Sequence, residues 1–392
     1  MTELGIKQWW LAEQVGVDRK TVIRWIHGQV RSVQLENAEK LAKILSCDVS
    51  QLTVAKGADQ LATPQDQKQA ASLLVNSSLI DKLGPIGEWN VIESLIKATV
   101  VPNLPISVLG ELYKQLTIAS WRQSKIDQAA EYNLRSEEIA SKTGDKELQA
   151  SVLMSKANIH SWRGQTAKAI ETYRECLTLE KFIEPRTLGS TNLNLGAVLY
   201  ESGELAEGEK YIVKAIEIFK DDGKPTNLSI AHCHLAMILL QKGRVDAAET
   251  EARISMNYAK KDEYLRGQQM GKLILAEAEA TRGKKQSALD FLESALAGFS
   301  KLGIHEGLNF EYAGRVNRLV GSLDQAIKYL NEGIEASQTF PIYLAALQLE
   351  LARALKQKGS SWIEAANTAI ALYTKHECPA RFEMIRKEFG IS

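Results

Sequence analysis

Arg19, Lys20, Arg24 and Arg31 lie between Asp18 and Glu36 with no carboxylate among them. The chain as a whole carries 48 Lys and Arg against 48 Asp and Glu, so this run of one sign is a local feature of a neutral protein. Cations interleaved with Thr21 and Ile23 suit one kind of chemistry: charge holds phosphate oxygens, while side-chain donors and apolar groups meet base edges. A second set of cations, Arg315, Arg318, Arg353 and Lys356, lies near the other end. There, guanidinium forks can clamp a carboxylate or other anion, or they can pair with Glu311 and Glu350 nearby.

The elements that must position the first set read clearly. Leu11, Ala12 and Val15 share one face of a short helix, and Gly16 breaks it at a turn where positive φ costs glycine little. Asp18 is placed to cap a second helix whose apolar face is Val22, Trp25 and Ile26. Its other face presents Arg19, Lys20, Thr21, Ile23 and Arg24. This is a helix-turn-helix pattern, in which the second helix enters the major groove of double-stranded DNA and its N-terminal residues meet the bases. A polar loop at 29–34 and a third helix with Leu35, Ala38, Leu41, Ala42 and Leu45 follow, with Val49 and Leu52 closing the segment.

Gln8 and Ala12, Gly16, residues 18–27, Gly28 and the run Leu41-Ala42-Lys43-Ile44-Leu45 together resemble the Cro/repressor, or XRE-type, helix-turn-helix family over about 50 residues. The resemblance implies that Gln8 contacts phosphate, that Arg19, Lys20 and Ile23 face bases, and that His27 touches the backbone. Thr21, Arg24 and Arg31 complete the expected DNA-binding set. Members of that family usually carry a full helix before the glutamine, whereas only Met1–Gly5 precedes it here. Trp9 and Trp10 point to different sides of their helix. Either they fill part of that gap, or one is core and the other a surface residue.

No apolar run approaches the roughly 18 residues needed to span a bilayer, and the N-terminus lacks a signal-peptide apolar region, so a cytoplasmic protein is expected, with no membrane partner. Cys47, Cys176, Cys233 and Cys378 are scattered without CxxC spacing and read as small buried hydrophobes. No phosphate loop, dinucleotide fingerprint, zincin motif or nucleophile elbow occurs, so neither an enzyme nor a cofactor is expected. His232-Cys233-His234 invites a metal reading, but residues two apart on a helix point to different faces, and packing explains them better.

The chain divides into a DNA-binding segment at 1–56, a connector at 57–106 and a repetitive region at 107–392. In the connector, 57–69 reads as a polar linker, followed by amphipathic helices at 70–83 and 86–100 around Gly84-Pro85. From 107 onward a turn position recurs every 38 to 40 residues, at Ser124, Gly164, Gly203, Gly243, Gly283, Gly321 and Gly359. Small residues stand five after the turn (Ala129, Ala169, Gly208, Ala248, Ala288, Ala326) and seven before it (Ala157, Gly196, Ala236, Ala276, Gly314, Ala352). This resembles the tetratricopeptide repeat with a period slightly above its usual length of about 34. Seven such units imply an all-α chain in which a small helix-turn-helix domain precedes a right-handed α-solenoid with a concave inner surface.

In that repeat family the residues six, three and two before each turn tend to face the ligand. They include Trp121 and Arg122, Asn158 and Trp162, Tyr200 and Glu201, Met237 and Gln241, then Arg315, Arg318, Arg353 and Lys356. The expected ligand groove is therefore aromatic with amides at its start and cationic at its end. Trp121, Trp162 and Tyr200 either grip apolar side chains of a peptide or belong to the core.

The order of a Cro/repressor-type domain before tetratricopeptide-like repeats is similar to the Rgg, PlcR and NprR group of peptide-sensing regulators and to the arbitrium receptors of phages. That similarity implies a homodimer on two DNA half-sites, controlled by a peptide or protein ligand in the repeat groove. The alternative is a repeat adaptor for a protein partner, with a vestigial helix-turn-helix.

Overall fold

The computed structural model describes residues 7–26, 33, 35–45, 64–76, 88–100, 104–222, 224–304, 307–338 and 340–391. These are helical and connecting residues with no strand among them. The chain separates into two compact units, Met1–Gln123 and Ser124–Ser392.

In the first unit, α1 (Gln8–Val15), α2 (Arg19–Ile26) and α3 (Leu35–Leu45) pack together. Leu11, Ala12, Val15 and Val22 form their buried centre, with Trp25, Leu41 and Ile44 against it. Ile26, read from the sequence as part of the apolar face, is instead exposed, because at the end of a two-turn helix it lies beyond the reach of α1. Trp9 and Trp10 both point outward, at 54% and 39% exposure, so neither is a core residue.

The connector contributes α4 (Pro64–Asn76) and α5 (Trp89–Thr99), which pack with α6 (Ile106–Arg122). The first of these begins six residues earlier than its apolar pattern suggests. Pro64 has no N–H to leave unpaired and a backbone angle suited to a first helical turn, and the glutamines and lysine that follow are good helix formers.

The second unit holds α7 (Ile126–Thr143) and six helical hairpins: α8 (Lys146–Trp162) with α9 (Thr166–Leu177), α10 (Pro185–Ser202) with α11 (Leu205–Asp222), α12 (Pro225–Gln241) with α13 (Val245–Lys261), α14 (Leu265–Thr281) with α15 (Lys285–Lys301), α16 (Gly307–Leu319) with α17 (Leu323–Ala336), and α18 (Pro341–Lys358) with α19 (Ile363–Lys375). A last helix, α20, spans Pro379–Phe389.

The repeat turns take positive φ at all seven positions, from 59° at Ser124 to 95° at Gly203, which lets one helix end and the next start within a few residues. The small residues sit where the two helices of each hairpin cross. Ala157, Ala169, Ala236, Ala248, Ala276, Ala288, Ala326 and Ala352 have no exposed surface. At the α10–α11 crossing a Cβ on Gly196 would stand 3.0 Å from the backbone oxygen of Gly208, so only glycine permits this approach. Larger apolar residues fill the spaces between hairpins, as in the continuous cluster from Cys233 through Leu273, Phe299 and Tyr312 to Val316.

The end of the chain returns to its earlier repeats. The His376 ring shares a hydrogen bond with the Gly164 backbone oxygen at 2.7 Å, Cys378 Sγ lies 3.6 Å from Thr166 Oγ1, and α20 packs on α10. Within this unit the array is thus a closed ring around an interior.

Candidate functional site

The DNA-facing candidate is built on α2. Asp18 accepts from the Thr21 N–H at 2.9 Å and from the Thr21 hydroxyl at 2.6 Å. These bonds hold its carboxyl below the ordinary value and fix the N-terminus of the helix. Arg19, Lys20 and Arg24 are exposed, and no carboxylate pairs with them among the described residues. Ile23 and Gln8 are half-buried at the edges of the same surface. Thr21 spends its hydroxyl on the cap. His27 and Arg31 lie outside the described residues.

The second candidate is the ring interior, where a cavity of about 230 Å³ is bounded by α10, α12, α14, α16, α18, α19 and α20. The structure brings Tyr200, Gln241, Arg315 and Arg353 of the expected groove to this cavity. Gln241 donates to the Tyr200 hydroxyl at 2.9 Å, so these two hold each other in place across neighbouring repeats.

The cations at its end are engaged by carboxylates. Arg315 is buried and contacts Glu311, with Glu277 at 3.1 Å and Glu350 at 3.3 Å. Glu350, only 1% exposed, also holds Arg318 at 3.1 Å and Arg353 at 2.5 Å. Arg353 in turn makes a two-pronged pair with Glu388 of α20 at 2.8 and 2.7 Å. Burial opposes the charge on Glu350, but Arg353, Arg315 and Arg318 outweigh it and keep the carboxyl well below its usual range. Of the two sequence readings, pairing with Glu311 and Glu350 describes what the guanidiniums touch, and Glu277 and Glu388 join from other repeats. Lys356 is exposed, donates to the Glu388 backbone oxygen at 3.1 Å and lies over Trp362 and Phe389.

Asn158, Trp162 and Trp121 of the expected groove lie elsewhere. Asn158 accepts from the Tyr173 hydroxyl and, at 3.0 Å, from the Asn194 amide. Trp162 meets Phe340 edge-on, with ring centres 5.2 Å apart. Trp121, in the first unit, lies beneath the Arg122 guanidinium at 4.9 Å.

Sequence reasoning placed Glu201 at a groove position without giving it a role, and it treated His234 as packing. Both line the cavity. Burial pushes the Glu201 carboxyl up to about 7 against the pull of Arg381, and it pushes the His234 ring down to about 4. Nδ1 of His234 is buried without a hydrogen-bond partner. His232 faces the other way, shares a 2.6 Å hydrogen bond with Glu251 and stacks on Tyr258, as expected for residues two apart on one helix. No cluster of metal-ligating side chains occurs among the described residues. Cys176, Cys233 and Cys378 are buried and free, while Cys47 lies outside the described residues.

Comparison with known proteins places both parts. Residues 1–57 match the Cro/C1-type HTH DNA-binding domain, and residues 150–182 match the tetratricopeptide repeat. The structure is similar to a Rap protein complexed with Competence and Sporulation Factor, at 14% identity and a TM-score of 0.58 over 82% of this chain and 98% of that one. It is also similar to the apo form of RapI, at 13% identity and a TM-score of 0.52 over 72% of this chain and 99% of that one. No curated protein sequence matches the chain. The chain carries a Cro/C1-type helix-turn-helix domain at its N-terminus and tetratricopeptide repeats behind it, and neither matched description is that of an enzyme. No described helix is long and apolar enough to cross a membrane.

Proposed function

We propose that this protein is a sequence-specific transcriptional regulator whose repeat ring binds a peptide or protein ligand and adjusts DNA binding or oligomeric state. The observation that carries the DNA half is the exposed face of α2, where Arg19, Lys20 and Arg24 stand free of carboxylates on a helix capped by Asp18. Phosphate binding at such a face gives affinity, and the N-terminal residues of the helix supply base contacts. The regulatory half is supported by the ring interior, a cavity that sets apolar and aromatic side chains beside charged ones, giving a ligand both contact surface and polar anchors. The Rap protein that shares the ring's fold was crystallised with Competence and Sporulation Factor, and occupancy of a comparable interior is the reading adopted for this chain.

The protein acts as a homodimer, because a single helix-turn-helix reads one half-site and two copies read a symmetric operator. Coupling is reciprocal, so ligand and DNA each change the affinity of the other by the same factor. Gel-shift titration with the DNA upstream of the protein's own gene tests the reading, with native mass spectrometry of the complex reporting two copies per DNA. A specific shift that disappears in the Arg19→Ala/Lys20→Ala protein is the expected result. Absence of any specific shift, with protein partners captured by the ring alone, leaves the adaptor as the function.

A further inference from the structure

The ionisable wall of the ring cavity is saturated at nearly every point. Glu311 and Glu350 are bound by arginines, and Arg315, Arg318 and Arg353 are bound by glutamates. Arg381 spends its donors on backbone, reaching the oxygen of Glu201 at 3.1 Å and that of Tyr200 at 2.7 Å. Among the wall's carboxylates and its one imidazole, Glu201 and His234 break the pattern. Among the described residues the Glu201 carboxyl accepts no hydrogen bond and pairs with no cation, although its own backbone oxygen is held by Arg381 at 3.1 Å. Nδ1 of His234, on the facing helix α12, is buried without a hydrogen-bond partner among the described residues. Both are half-buried on the cavity wall, with Met237 and Met270 supplying apolar surface beside them. An unpaired buried ring nitrogen costs about 1–3 kcal/mol, and beside it the Glu201 carboxyl opens onto the cavity, so the two present polar groups that a ligand can engage.

We propose that Glu201 is the cation-recognition point of the ring cavity, taking the ammonium group of an amphipathic ligand while His234 accepts a neutral N–H or O–H from the ligand's body. This inference rests on the reading that the cavity holds a ligand, and it names the chemistry of that ligand. A bound ammonium supplies the one partner the wall lacks: Glu311 and Glu350 already have theirs, and the free acceptors call for donors rather than for another carboxylate. Proton balance follows. Around Glu201 the charges that act on it are Arg381, which favours the carboxylate, and Glu311, which opposes it. Burial dominates and pushes the carboxyl up to about 7, so that part of it carries its proton at neutral pH. An ammonium entering beside it favours the carboxylate, so the carboxyl proton leaves to solvent as the cation arrives. His234 stays neutral throughout, its low value set by burial.

The test uses the full-length protein and three probes of nearly equal size, phenethylamine, phenethyl alcohol and phenylacetate, followed by calorimetry at pH 7 in buffers of different ionisation enthalpy. Phenethylamine is expected to bind at least tenfold more tightly than the alcohol and to release a measurable fraction of a proton per ligand. In Glu201→Gln, whose fold is checked by circular dichroism, that preference and the proton release disappear while the alcohol binds as before. N-acetyl-lysinamide distinguishes a peptide source of the ammonium from a free amine: tighter binding than phenethylamine assigns the site to a peptide side chain. Equal binding of amine and alcohol, strongest binding of phenylacetate, or an unaltered preference in Glu201→Gln overturns the cation assignment and leaves the cavity as a ligand site. Failure of all probes to bind overturns both.

Discussion

Arg381 donates to the backbone oxygen of Tyr200 at 2.7 Å across 181 residues of sequence, and its guanidinium lies 5.6 Å from the centre of the Tyr200 ring. The contact ties the final helix to the C-terminal end of α10, where the last carbonyls favour a cation, and the Tyr200 oxygen accepts from the Gly203 N–H as well. It therefore closes the repeat ring and sets one wall of the cavity in a single step.

Removing that tie is expected to loosen the ring without unfolding the hairpins. Arg381→Ala leaves two carbonyls without their charged donor, costing about 1.5–3 kcal/mol. Hydrogen exchange of α20 and of the turn at Gly164 is expected to speed up, while α14 and α15 keep their protection. Uniform loss of protection across all repeats, or none, would mean that Arg381 does not close the ring.

Two turn glycines separate backbone strain from closure. Gly164 and Gly243 have φ of 68° and 73°, so alanine at either place costs about 1–2 kcal/mol for the left-handed conformation. A Cβ on Gly164 also falls 2.5 Å from His376 Nδ1, whereas one on Gly243 meets nothing within 4 Å. Chemical denaturation is expected to show Gly164→Ala as the more damaging by about 1–3 kcal/mol. Equal losses would deny the contact between His376 and Gly164.

These turns were legible in the sequence because glycine is the residue that enters the left-handed region cheaply, and its recurrence marks each helix end. The crossing alanines were legible for a similar reason, since close helix approach permits little else. Arg381 was not: a contact between residues far apart in sequence leaves no local pattern. Nor did spacing show that Glu277 and Glu388 would complete the ion network, because each comes from a different repeat. Glu201 was visible as a groove position, yet its distinction, a carboxyl with no partner, exists only once the other charges have found theirs.

Glu350 anchors three guanidiniums, and its carboxyl is held well below the usual range. A folded value below the unfolded one means that the stabilisation is in place above the unfolded value of about 4.3 and is lost as pH falls through the folded value. Glu350→Gln leaves the buried Arg315 and the half-buried Arg318 and Arg353 short of a partner and is expected to cost about 3 kcal/mol near neutral pH. Thermal melts from pH 7 downward are expected to show the gap between variant and wild type narrowing as the medium turns acid. A gap independent of pH would show that the charge on Glu350 is not what holds the network.

Glu201 works in the opposite direction. Its folded value of about 7 lies above the unfolded one, so the fold is penalised increasingly as pH rises from about 4 toward 7. Glu201→Gln is therefore expected to melt higher than wild type at pH 8 and equally at pH 4, in the absence of ligand. A lower melting temperature at pH 8 would place a cation on Glu201 in the empty ring.

Reading of DNA by α2 through Arg19 and Lys20, as proposed, is tested most directly by the salt dependence of operator affinity. With the wild-type protein, log K is expected to fall linearly with log salt, and Arg19→Ala/Lys20→Ala is expected to flatten that slope, because two cations leave the interface, while specific affinity collapses because base contacts are lost. An unchanged slope and unchanged specific affinity in the double variant would contradict the account.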